Sequence, residues 1–131
     1  MIRIRAASPY LLAALLAGAG ATHFLKPGIY DPIVPHALPG PARAWTYASG
    51  VAELGVAVAV ARPSTRGRGA LAAALLFIAV FPANIQMAAD ARSTTEKAVA
   101  YVRLPLQLPL VVWAWQVSRA ARRKGSLDRS R

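Results

Sequence analysis

Four apolar blocks, separated by short polar or proline-rich connections, leave this 131-residue chain few ways to fold. They run from about Ala6 to Leu25, Arg43 to Ala61, Gly69 to Ala89 and Ala98 to Ser118. A helix needs about 20 residues to cross a hydrocarbon core, and each block has that length. No water is available there, so the backbone of each span has to satisfy itself as helix. The expected fold is all-α: a single four-helix transmembrane bundle over residues 1–118. The basic tail, 119–131, is expected to be disordered or to lie on anionic headgroups. Pro82 in the third block, and Pro105 and Pro109 in the fourth, are expected to break their helices.

The basic residues give the expected orientation. Eleven lie at the two ends and in the second connection, among them Arg3, Arg5, Arg62, Arg66, Arg68, Arg119 and Lys124. Only Lys26, Arg43, Arg92, Lys97 and Arg103 lie on the other side. Cytoplasmic connections carry the excess of Lys and Arg, so both termini are expected in the cytoplasm. The formal net charge of +11 also fits a nucleic-acid binder. Yet the cations flank hydrophobic spans instead of lining a groove, and no nucleic-acid partner is expected. The N-terminal segment, with Arg3 and Arg5 before an apolar stretch and Ala17–Ala21, also resembles a signal peptide; cleavage there would leave three spans. The chain has no cysteine, which excludes disulfides, thiolate nucleophiles and Cys-ligated metal within it.

Glu53 is the exception inside the second block. An ionisable group within a span is costly and by default marks a function or a paired structural charge. Depth along each helix, at about 1.5 Å per residue, groups other polar residues with it. His23 falls about 3 Å from the outward end, and Ser49, Asn84 and Arg103 about 8–9 Å. Glu53 and Gln107 fall deepest, at about 14–15 Å, near the midplane. Ser49 and Glu53 are four residues apart and share a helix face, as do Arg103 and Gln107. The expected arrangement is one outward-facing polar layer of Glu53, Arg103, Gln107, Asn84, Ser49 and His23. Arg103 is expected to neutralise Glu53, directly or through Gln107 or water. The same residues fit a small polar cavity or a purely structural hydrogen-bond set. The first outward connection, residues 26–42, holds five prolines and several apolar residues, and reads as an ordered cap over the bundle or, equally, as a stiff hairpin between two spans. No pair of ligands at helical spacing presents a metal site, and no metal is expected.

His23-Phe24, Pro27, Tyr30 and Ile33-Val34-Pro35, then Tyr47, Ser49-Gly50 and Glu53, then Phe81-Pro82-Ala83-Asn84, then Arg103, Pro105 and Gln107 together resemble the DoxX-like family of small membrane proteins. The resemblance spans nearly the whole core. It implies a four-helix bundle in a bacterial cytoplasmic membrane. Through wider relatives it implies a link to thiosulfate:quinone oxidoreduction and to membrane complexes of oxidative-stress defence. His36 stands where many relatives have a second proline, which argues against a site role for it.

Three readings follow. The chain is a small subunit or anchor of a quinone-linked redox complex, not an enzyme by itself, with quinone as ligand and no covalent cofactor. Alternatively it is a structural component of a membrane stress-response assembly. The third reading is a carrier or proton pathway through Glu53, against which no polar residue continues into the inner half. The expected partners are the bilayer and a membrane redox protein. Small residues such as Ala48, Ala52 and Ala59 suit close packing in a monomeric bundle and in a dimer equally.

Overall fold

Short connections and four long apolar segments produce an all-helical chain. The structure, a computed structural model, describes residues 2–129, with side chains over residues 7–127. Helix α1 (Ile2–Leu25) ends where Pro27 opens the short α2 (Pro27–Tyr30), and a 3-10 turn follows at Asp31–Ile33. Helix α3 spans Ala42–Ala61, α4 Arg66–Ala79, α5 Phe81–Asp90 and α6 Thr94–Arg129. Counting α4 and α5 as one span, four helical segments among the described residues are long and apolar enough to cross a membrane.

The sharp turns have local causes. Arg62 is extended ahead of Pro63, which disfavours helix at the residue before it and ends α3. That end exposes carbonyls without intrahelical partners. Thr65 Oγ1 donates to the Ala59 carbonyl at 2.8 Å, and Arg66 donates to those of Val60 and Ala61 at 3.0 and 2.9 Å. Gly69 makes the turn tight, because a Cβ there would sit 2.6 Å from the Ala59 carbonyl carbon. Before α6, the Glu96 carboxylate accepts from the Arg92 and Ser93 amides while Ser93 Oγ accepts from the Glu96 amide. This is a reciprocal capping box.

The expected break in the third span occurs: the helix is interrupted at Val80, with Pro82 in the first turn of α5. The expected breaks at Pro105 and Pro109 do not. Helix α6 runs through both, and the basic segment after Ser118 continues it to Arg129 instead of being disordered. Neighbouring groups can satisfy the carbonyls a proline frees within a span, and Arg, Ala and Lys are strong helix formers. At 36 residues α6 is about 54 Å long, well beyond a hydrocarbon core of about 30 Å.

The helices pack as two pairs, α1 on α3 and α4 on α6, joined through α3 and α4. Helices α1 and α6 scarcely touch. One direct tie between them is the Trp113 indole, which donates to Ser8 Oγ at 2.7 Å. The pairs close around an apolar centre of Leu12, Leu16, Val60, Ala70, Ala73 and Ala114. On either side of this centre the pairs diverge, leaving one cavity near Tyr30 and another near Arg66.

Candidate functional site

Helix α3 presents one buried stripe: Thr46, Gly50, Glu53, Ala57 and Val60. Its spacing keeps these residues on one face of a 3.6-residue helix. The glycine lets α1 approach at the height of the carboxylate. A Cβ on Gly50 would meet the Phe24 ring at 2.6 Å and His23 Cβ at 2.9 Å. On the facing helix, a Cβ on Gly20 would meet Glu53 Cβ at 3.1 Å. This close contact brings His23 and Glu53 together from two helices.

Glu53 is 9% exposed, and its Oε2 lies 3.3 Å from His23 Nδ1. That nitrogen is already engaged, 2.9 Å from the Ala19 carbonyl. A carbonyl only accepts, so Nδ1 carries the proton and donates it there. Glu53 Oε2 is left buried with no hydrogen-bond donor. The imidazole is held from its other side by Tyr30, whose ring stacks on it at 3.7 Å. Thr22 Oγ1 donates to the Ala19 carbonyl at 2.7 Å, so the Tyr30 hydroxyl donates to Thr22, at 2.5 Å.

The cavity beside Glu53 measures about 630 Å3. The connection after α2 roofs it with Ile33, Val34 and Leu38. Asp31 pins that roof to α3: Arg43 donates to Oδ2 at 2.8 Å and Thr46 to Oδ1 at 2.7 Å. The hydrogen bond from Arg43, then that from Thr46, hold the Asp31 carboxyl below its ordinary value of 3.8. The Trp45 indole closes the other side of the roof by donating to the Pro39 carbonyl at 2.7 Å. The connection is an ordered cap, as its prolines suggest.

The six residues expected in one polar layer divide into two groups. His23, Ser49, Glu53, Asn84 and Arg103 line the cavity, whereas Gln107 does not. Gln107 instead donates to the Phe77 carbonyl and accepts from Asn84 Nδ2, the latter at 3.0 Å. The Phe77 carbonyl belongs to the last turn of α4, where the helix break removes intrahelical partners. The expected direct pairing of Arg103 with Glu53 is not formed: among the described residues the only ion-pair neighbour of Glu53 is His23. Arg103 is exposed and lines the same cavity. Depth along a helix gives a residue's height and not its direction, and α6 packs on α4 while α3 turns Glu53 toward α1.

The sequence reading passed over Thr46, which is 2% exposed and bonded to Asp31. Its signal was present, since it precedes Glu53 by seven residues on the same face. Tyr30 and Asp31 carried no such signal, because their roles depend on how the connection folds back. Among the described residues, no three His, Asp or Glu side chains come together in a metal-holding group.

Chemically, the cavity offers an apolar roof, one unengaged buried acceptor and an exposed guanidinium. Such a site fits a flat, mostly apolar molecule with a hydroxyl at one edge and a carbonyl or hydroxyl at the other. No curated protein and no solved structure matches the chain. Residues 12–118 match the family described as Domain of unknown function (DUF8561), and the chain belongs to that family.

Proposed function

We propose that the protein is a small membrane subunit that holds the headgroup of a prenyl-quinone for a redox partner. The observation that carries this reading is Glu53 Oε2, buried without a donor on the wall of a cavity of about 630 Å3. A buried acceptor left unpaired costs about 1–3 kcal/mol, and a quinol hydroxyl bonded there would offset that cost. Arg103, which lines the same cavity, would donate to the second oxygen. The apolar roof suits the ring and the start of a prenyl chain. The DoxX-like resemblance supports the same class of ligand. The protein would act as a holder and not as an enzyme by itself, in a bacterial cytoplasmic membrane with both termini inside, the cavity facing outward.

The satisfied chain from Asn84 through Gln107 to Phe77 favours a structural role for those two residues, as an assembly component would have. A carrier or proton pathway is disfavoured by the apolar centre, which separates the cavity from the opposite end.

The test is purification of the full chain in mild detergent, followed by analysis of bound lipids and quinones and of co-purifying proteins. Prenyl-quinone bound at a defined ratio, together with a redox protein, supports the proposal. A lone protein without prenyl-quinone overturns it.

A further inference from the structure

The second cavity, about 830 Å3, opens at the other end of the bundle, between α1, the start of α4 and the end of α6. Four cations line it (Arg66, Arg119, Arg123 and Lys124) and no acidic residue does. Among the described residues, no carboxylate pairs with any of the four. Gln116, Arg119 and Arg123 recur every three or four residues, so α6 presents them on one face.

One of these cations is held in place. Arg66 donates through Nε and Nη2 to the end of α3, and its guanidinium lies 4.8 Å from the centre of the Tyr10 ring. Its remaining donors are therefore fixed in direction before anything binds. Cations facing one cavity repel each other, and an anion among them reduces that repulsion.

The surroundings indicate what carries the anion. Helices α1 and α6 barely touch below the cavity, apart from the bond between Trp113 and Ser8. Leu11, Leu15, Val112 and Trp115 are exposed apolar residues on those two helices, within the spans. Both helices that border the basic cavity therefore carry exposed apolar surface that an acyl chain could cover.

We infer that this cavity is a binding site for an anionic phospholipid, with the phosphate between Arg66, Arg119 and Arg123 and an acyl chain on the exposed apolar surface of α1 and α6. The site is separate from the Glu53 cavity and stands whether or not that cavity binds quinone. It binds the full chain to its membrane by a defined contact beyond general surface attraction.

The experiment uses the full chain in a neutral detergent, with phosphatidylglycerol, phosphatidylcholine or inorganic phosphate added separately. Lipid retention is read by native mass spectrometry and protection by thermal unfolding. Wild type should retain phosphatidylglycerol over phosphatidylcholine at about one per chain. The attraction of each basic residue is worth about a fivefold change in affinity, so Arg119→Gln with Arg123→Gln should weaken retention about thirtyfold. The Arg119→Lys, Arg123→Lys variant keeps the charges and should retain phosphatidylglycerol selectivity. Circular dichroism of both variants confirms that α6 is formed. Equal retention of the two lipids, or unchanged retention in the Gln variant, overturns the proposal. Protection by inorganic phosphate equal to that by phosphatidylglycerol also overturns it, since the acyl chain would then contribute nothing.

Discussion

Replacing Glu53 by Leu separates a ligand-facing carboxylate from a structural one by the sign of the stability change. Leucine is somewhat larger than glutamate, and the position is 9% exposed beside a cavity, so the substitution opens no void and the extra volume has room. It removes a buried oxygen that has no donor, which releases about 1–3 kcal/mol. It creates no new orphan, because His23 Nδ1 keeps its bond to the Ala19 carbonyl. The ligand-free protein should therefore become more stable, by about 4–12 °C in melting temperature at about 4 °C per kcal/mol. If the contact between His23 and Glu53 were instead an ion pair that holds α1 to α3, removing one partner would cost about 3–5 kcal/mol. Thermal unfolding of the delipidated protein in detergent measures the difference. A fall of about 10 °C or more refutes the reasoning. Binding gives a second readout: a lost charge-assisted hydrogen bond, at about 1.5–3 kcal/mol, should weaken quinol binding about ten- to hundredfold. A stabilised variant with unchanged quinol affinity would leave Glu53 an orphan but remove it from the ligand.

Three further outcomes are expected. Gln107→Leu strands the Phe77 carbonyl and the Asn84 amide, and should lower stability by about 1–3 kcal/mol in denaturant unfolding while leaving quinol affinity nearly unchanged. Gly69→Ala drives a Cβ into the α3 backbone, which cannot yield, and should destabilise by about 1–3 kcal/mol or more, although alanine is the better helix former. Asp31→Asn should lower the melting temperature at pH 7. The folded-state value of Asp31 lies below 3.8, so the stability it contributes is present above that pH and is lost as pH falls through the lowered value. In a series of melting curves, the gap between variant and wild type should therefore begin to narrow as pH falls below 3.8 and close only below the lowered folded-state value; a gap that does not narrow with acidification contradicts the assigned partners.

The four spans were legible in the sequence because length and apolarity alone decide them. Glu53 was legible as an exception within one of them. Its neighbour was not. Two glycines set that contact, Gly20 and Gly50, and they hold α1 against α3 closely enough for His23 to reach the carboxylate. Arg103 lines the same cavity, but it makes no ion pair with Glu53. Gln107 shares a helix face with Arg103 in the sequence, yet its amide is drawn to a carbonyl that exists only because α4 ends at Ala79. Pro82 marked that ending correctly, whereas Pro105 and Pro109 marked none, because α6 remains helical on both sides of them. A proline shows where a donor is missing; whether the helix stops depends on neighbouring groups.

The pairing of α1 with α3 bears on the order in which the chain enters the membrane. His23, Gly20 and Gly50 all precede Glu53 in the sequence, so every group that surrounds the carboxylate from α1 is synthesised before it. A glutamate inserted alone would carry a penalty of a few kcal/mol at mid-span. Here it arrives opposite a helix already shaped to receive it, and the first half of the protein can assemble before α4 and α6 leave the ribosome. The second half brings its own polar pair, Asn84 and Gln107, which satisfy each other without help from α1 or α3. The second half is thus satisfied from within, whereas the first keeps one Glu53 oxygen without a donor, and the cavity beside that oxygen forms only when the two halves meet.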